Sequence, residues 1–318
     1  MPNLEDNPTA NAKRVAVMDL GTNTFHLLIA EGDANDFKPV YHTNVAVKLG
    51  EGGINKGTIL PQAFARGLQA MQGFEEAIDA YEVTHVRAIA TSAVRSAANG
   101  SDFIRAVKEK TGIEIEIING EQEATFIYQG VKASGALNEQ TALIMDIGGG
   151  SVEFIIANNE EVFWKQSFEV GAARLMDKFH KNDPIPVPAI KEMTAFLNNQ
   201  LADLFKAAIQ YKPVTLIGSS GAFESFAEVI ELKNGRGFNL KQTKVYDFDT
   251  DDLLDLIEWL AKSTHAKRAA QKGIIPVRVD MIVVASLLTI YMMQKLGLAD
   301  VSMSTYSLKE GVMAGMLG

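Results

Sequence analysis

Apolar positions along the chain fall into two rhythms. Short runs dense in Val, Ile and Leu alternate with longer stretches in which apolar residues recur every three or four positions. Val17 and Met18 lead through Asp19-Leu20-Gly21-Thr22-Asn23-Thr24 into the apolar run at 25–30. The same order returns as Ile144-Met145-Asp146-Ile147-Gly148-Gly149-Gly150-Ser151, followed by the run at 152–157. The two segments align without a gap: strand, Asp, tight polar turn with glycine, second strand. Residues 85–90 and 214–217 predict short buried strands, and Ile113, Ile115 and Ile117 alternate with Glu114 and Glu116 as a half-buried one. Phe64, Leu68, Met71, Phe74 and Ile78 keep helical spacing on one face, as do residues within 253–260. The polar segment at 178–188, with three prolines, and the glycine-bearing 234–238 predict connections.

Strands interleaved with helices give an α/β class. One repeat at long separation means a duplicated domain rather than a solenoid. The expected organisation is a first domain over 1–124, a second over 125–304, and a C-terminal helix at about 305–318 that packs back on the first.

The turns suit an anion. Glycine lets backbone amides approach a phosphate closely, and Thr22, Thr24 and Ser151 add hydroxyls while Asn23 adds an amide. Asp19 and Asp146 stand at the strand ends, where a carboxylate holds a hydrated cation rather than phosphate itself. One such turn is an ordinary hairpin; two in register point to a phosphate-gripping cleft. Asn119 with Gln122 three residues on is a capping box, placing Glu121 and Glu123 in the first turn of a helix, where the dipole alone favours them.

Composition narrows the picture. The chain has 318 residues, 47% hydrophobic and 22% charged, as expected of a folded protein of two domains. It has no cysteine, which removes disulfides, thiolate metal sites and a cysteine nucleophile and fits a cytoplasmic location. Residues 1–13 are polar without a secretory apolar region. The longest apolar run, 281–293, is short of the roughly 20 residues that span a bilayer, so it predicts a buried helix and no membrane partner. A net charge of −9 argues against a nucleic-acid partner. No P-loop or zinc-protease pattern occurs, and the five histidines lack ligand spacing. His26, beside the first turn, reads as a packed core residue.

The paired Asp-x-Gly hairpins resemble those of the actin-like ATPase superfamily. Within it, Asp19-Leu-Gly-Thr-Asn-Thr-Phe-His and Asp146-Ile-Gly-Gly-Gly-Ser-Val-Glu resemble the exopolyphosphatase/guanosine pentaphosphate phosphohydrolase (Ppx/GppA) family. The likeness runs on through residues 90–99 and 119–124, Gly171-Ala-Ala-Arg-Leu175, Gly218-Ser-Ser-Gly221, Pro276-Val-Arg-Val-Asp280 and Lys309-Glu-Gly311. It implies two duplicated actin-like (ribonuclease H-like) domains with the site in the cleft between them. By that resemblance Glu123 activates the attacking water. Gly21, Thr22, Asn23, Thr24, Arg95, Gly148, Gly149, Gly150 and Ser151 contact phosphate. Asp19, Asp146 and Glu153 hold Mg²⁺, with Mn²⁺ as the alternative. Arg174 and Arg278 read better as structural bridges, either of them to a carboxylate such as Asp280.

The expected activity is exopolyphosphatase, releasing terminal orthophosphate from linear inorganic polyphosphate. Hydrolysis of guanosine pentaphosphate is the alternative within the family, and a homodimer is allowed for. Ala222, Thr305 and Lys309 depart from the family pattern and motivate an alternative of another class, a polyphosphate or nucleotide sensor without turnover. A sugar or acetate kinase of the same superfamily is the remaining reading.

Overall fold

The structure is a computed structural model that describes residues 14–33 and 37–318; the polar segment at 1–13 lies outside them. The first half opens with the hairpin β1 (Arg14–Leu20) and β2 (Phe25–Gly32), continued by β3 (Phe37–Val45). Helix α1 (Pro61–Ala80), β4 (His85–Ala90), the short α2 (Ser92–Ser96), α3 (Gly100–Thr111) and β5 (Ile115–Ile117) complete it. Helix α4 (Gly120–Ser134) leads to the second hairpin, β6 (Ala142–Ile147) and β7 (Val152–Ala157), and its neighbour β8 (Val162–Phe168). Helices α5 (Ala172–Phe179), α6 (Val187–Gln200) and α7 (Ala202–Tyr211) precede β9 (Thr215–Ser219). Then come α8 (Gly221–Lys233), β10 (Val245–Asp247), α9 (Thr250–Lys262), α10 (His265–Ala270), α11 (Met281–Leu296), β11 (Asp300–Ser304) and α12 (Leu308–Leu317).

Among the described residues the strands form two sheets, ordered β3-β2-β1-β4-β5 and β10-β11-β9-β6-β7-β8. Read from β8, the second repeats the first: an antiparallel meander of three strands, then two strands parallel to the first of the meander, with β10 added at the edge. This is the duplicated actin-like α/β arrangement expected from the paired hairpins. The apolar run at 281–293 is the buried helix α11, and no helix among the described residues is long and apolar enough to cross a membrane.

Both faces of the inner strands are covered, which is why β1 and β6 read as nearly unbroken apolar runs. On β1, Ala16, Met18 and Leu20 face the core of the first half, packed by α1 and α3. Val15 and Val17 face the other way, into a layer that α4 and α12 fill between the two sheets, against Ile127, Val131, Leu308, Val312 and Met313. Ile144 of β6 and Ile155 of β7 enter the same layer from the second sheet. The 124/125 division falls inside α4, and α12 packs against α4 and β1.

The two helices of this layer touch backbone to backbone. A methyl on Gly130 would stand 2.0 Å from the Ser307 carbonyl oxygen, and one on Gly311 would stand 1.9 Å from that of Phe126. Gly311→Ala should therefore lower the unfolding free energy by roughly 1–3 kcal/mol, the usual cost of overpacking. Gly315→Ala, on the same helix with nothing within 4 Å of the added methyl, should leave it unchanged or raise it by up to about 1 kcal/mol. Urea denaturation of the two variants measures both.

Candidate active site

Strand periodicity decides where the carboxylates point. Successive side chains alternate between faces, so Asp19 shares the face of Val15 and Val17, and Asp146 that of Ile144. In register across each hairpin, Asp19 opposes His26 and Asp146 opposes Glu153. All four therefore face the layer that holds the start of α4 and the start of α12. The capping box of α4 is formed as the sequence predicts: the Gln122 backbone N–H donates to Asn119 Oδ1 at 2.9 Å, and the Asn119 N–H donates to Gln122 Oε1 at 2.9 Å. It sets Glu123 one position beyond, inside the same layer and 6% exposed.

A cavity of ≈200 Å³ results, lined by Asp19, Glu123, Asp146, Glu153 and both turns, Gly21 to Thr24 and Gly148 to Ser151. Of the residues assigned from sequence, only Arg95 is not in its lining. Its Nη1 donates to Glu123 Oε2 at 2.9 Å and to the Ile118 carbonyl at 3.0 Å, behind the carboxylate.

The two turns are built alike and abut. A methyl on Gly21 would meet the Thr24 carbonyl oxygen at 2.9 Å, and one on Gly148 would meet that of Ser151 at 2.9 Å. Backbone amides from outside take up the turn carbonyls. Lys48 and Gly50 bond Asn23 and Thr22 at 2.7 and 3.0 Å. Ala172 and Ala173, at the start of α5, bond Gly148 and Gly149 at 2.9 and 2.8 Å. With their carbonyls so engaged, the turns offer amides and hydroxyls to an anion.

Several lining residues were read differently or passed over in sequence. Lys309 appeared only as a departure from a family pattern; its Nζ lies 3.0 Å from Glu310 Oε1 in the cavity wall. Arg278 pairs with Glu224 at 2.9 Å and not with Asp280, which instead meets His265 and Arg268. His26 lines the cavity with Nδ1 buried and unpartnered, and burial together with the Lys309 charge keeps its pKa well below the ordinary value. Ser220 lines it too, at φ 75° and ψ 177°, a backbone shape normally left to glycine. Its hydroxyl donates to the Ile147 carbonyl at 3.0 Å.

Burial dominates the electrostatics. It pushes the Asp19 carboxyl up to about 7, with Lys309 opposing and Asp146 adding to the shift. It likewise raises Glu123 to about 7 against the pull of Arg95. Asp146 is raised by burial and eased by hydroxyl bonds from Ser307 and from Ser219, the latter at 2.8 Å. Glu153 is raised well above the usual range by burial and by the charges of Glu123 and Asp146, and accepts from Ser167 at 2.6 Å. Asp19 Oδ1 is buried with no hydrogen-bond partner. Among the described residues, no three His, Asp or Glu side chains converge into a ready-made metal cage.

A second cavity of ≈510 Å³ adjoins this one and shares Asn23, Val277 and Met281 with it; Ile54, Met176 and Pro276 give it an apolar wall. Arg174 spans the rim: Nε donates to the Gly150 carbonyl at 2.8 Å and Nη1 to the Ile54 carbonyl at 2.9 Å.

Two like glycine turns with a buried carboxylate lining the same cavity make up this arrangement, and comparison with known proteins places the chain in a family. Residues 28–318 match the Ppx/GppA phosphatase family. The chain belongs to this family. It is thus a phosphoanhydride hydrolase, and the sensor reading falls away. A crystallised exopolyphosphatase of Cytophaga hutchinsonii superposes with a TM-score of 0.93 at 40% identity, over 96% of this chain and 98% of that one. Exopolyphosphatase 1 of Mycobacterium tuberculosis is 26% identical over 302 residues, 94% of this chain and 87% of its own length. The Ppx/GppA enzyme of Aquifex aeolicus shares the fold with a TM-score of 0.78 at 22% identity, over 96% of this chain and all of that one (100%).

The raised Asp19 carboxyl has a thermodynamic consequence. Between its unfolded value of 3.8 and about 7, the folded protein holds a proton that the unfolded chain has released. Stability therefore falls as pH rises through that window. In chelator, Asp19→Asn should flatten part of this slope, by a few kcal/mol at most. Melting temperatures across the window, for wild type and variant, check it; parallel curves would contradict it.

Proposed function

We propose that the chain is an exopolyphosphatase that releases terminal orthophosphate from linear inorganic polyphosphate. The observation that carries the reading is Glu123, a buried carboxylate with a pKa near neutrality that faces both phosphate turns. The terminal phosphoryl group lies between Gly21–Thr24 and Gly148–Ser151, whose amides and hydroxyls hold its equatorial oxygens. Glu123 takes a proton from water as the water oxygen attacks phosphorus in line. The new P–O bond forms, the bridging P–O bond breaks, and its electron pair departs on the shortened chain. Arg95 fixes the Glu123 carboxylate and is the expected guanidinium contact for phosphate.

Asp19, Asp146 and Glu153 offer only oxygen donors, and the unpartnered Asp19 Oδ1 is an open coordination position. These features fit hydrated Mg²⁺, or Mn²⁺, held through one or two carboxylates together with substrate phosphate rather than in a closed cage. When bound, the ion neutralises charge on the transferring phosphoryl group. Lys309 supplies further positive charge in the same wall. A cytoplasmic location completes the reading, supported by a chain without cysteine.

Guanosine pentaphosphate is the second reading. The adjoining cavity favours it, because Ile54, Met176, Pro276 and Val277 offer apolar surface that a chain of phosphates does not use. Phosphate release from short polyphosphate, long polyphosphate and guanosine pentaphosphate, measured side by side, separates the two. Glu123→Gln should lower kcat on the working substrate by about 10²–10⁴-fold, the range for losing a general base, with KM little changed. Full activity in that variant would remove Glu123 from the role.

A further inference from the structure

The reaction cavity is closed at its back by a wall one side chain thick. Behind it lies a separate open cavity of ≈400 Å³, lined by Arg95, Gly120, Lys165, Gln166, Ser167 and Glu169 among others. Three hydrogen-bonded pairs make the partition, each with one member on either side. Glu123 pairs with Arg95 at 2.9 Å, Glu153 accepts from Ser167 at 2.6 Å, and Ser92 donates to Glu169 at 3.1 Å. Glu123, Glu153 and Ser92 line the reaction cavity; Arg95, Ser167 and Glu169 line the one behind.

We infer that this rear cavity is the exit for orthophosphate, and that the Arg95 side chain is its gate. The inference rests on the hydrolase reading above. A substrate cut at its terminal phosphate leaves the product deepest in the cavity, with the shortened chain between it and the mouth. Departure through the mouth then requires the chain to leave first. Departure through the rear wall does not.

The chemistry of the wall suits this passage. Arg95 has a carboxylate on either hand: Glu123 at 2.9 Å, and Glu169 at 3.6 Å on the outer side. It can turn from one to the other with its own charge still paired, giving up its bonds to Glu123 and to the Ile118 carbonyl. Its guanidinium fork matches phosphate oxygens as well as carboxylate. Glu169 is half exposed and Arg95 is 20% exposed, so the gate moves toward solvent and not into packed core. Beyond it stands a second cation, Lys165, whose Nζ donates to Thr125. Ser167 and Gln166 belong to β8, the edge strand of its sheet, so the opening disrupts no inner strand.

The order of product release tests the inference on the wild-type protein. If orthophosphate leaves first, it inhibits noncompetitively against whichever phosphoanhydride the protein hydrolyses. If it must follow the chain through the mouth, it inhibits competitively, and the rear exit is overturned. Gln166→Trp, which fills the rear cavity, adds a second measurement. Orthophosphate formed in acid-quenched single turnovers should appear at the wild-type rate. Its release, followed with a fluorescent phosphate-binding sensor, should slow by about tenfold, since release then limits turnover. Equal rates of formation and release in the variant would contradict the inference. Hydrolysis of none of the substrates would instead remove the functional reading, and this inference with it.

Discussion

Asp19, Glu123, Asp146 and Glu153 share one water-poor layer, and the cost of burying four carboxyls there is what the surrounding structure is arranged to offset. Like charges in a low-dielectric site interact far more strongly than at the surface. The balancing groups come from distant parts of the chain. Ser219 at the end of β9 and Ser307 before α12 bond Asp146, Ser167 of β8 bonds Glu153, and Arg95 of α2 bonds Glu123. Asp19 Oδ1 is left without a partner. An acidic chain is compatible with an anionic substrate: what matters is the local balance at two turns, not the sum over the surface.

Much of this was legible because it is local. The hairpins, the capping box before Glu123 and the period-2 placement of Asp19 and Asp146 depend on residues within a few positions of one another. What could not be read depends on pairings across long stretches. Nothing near Ser307 says that its hydroxyl will meet Asp146, 161 residues earlier. Asp280 was an example of a partner for Arg174 or Arg278, whereas the fold brings Glu224 to Arg278 across 54 positions. The third strand of each meander was also missed. β3 and β8 flank only one neighbour, their side chains are largely half-buried or exposed, and the apolar alternation that announces a strand is diluted. His26 was taken for core because its neighbours are apolar; it is half-buried, at the wall of the cleft.

The two halves are joined at more than the central helices. Arg174 reaches from α5 to the Gly150 carbonyl and to the Ile54 carbonyl of the other half, and Asn55 bonds Asp177 at 2.8 Å. Glu169 ties Arg174 to the neighbourhood of Arg95. One ion-pair network therefore links the phosphate turn, the rim and the group that holds Glu123.

The register of the hairpins carries one more implication. Duplication made two copies of the same scaffold, but opposite Asp19 stands a neutral histidine, and opposite Asp146 a glutamate. Structural likeness between the halves thus coexists with different chemistry at two matching positions. A cleft whose two walls differ has a direction of its own, fixed by the sequence of each hairpin and not by the ligand it receives.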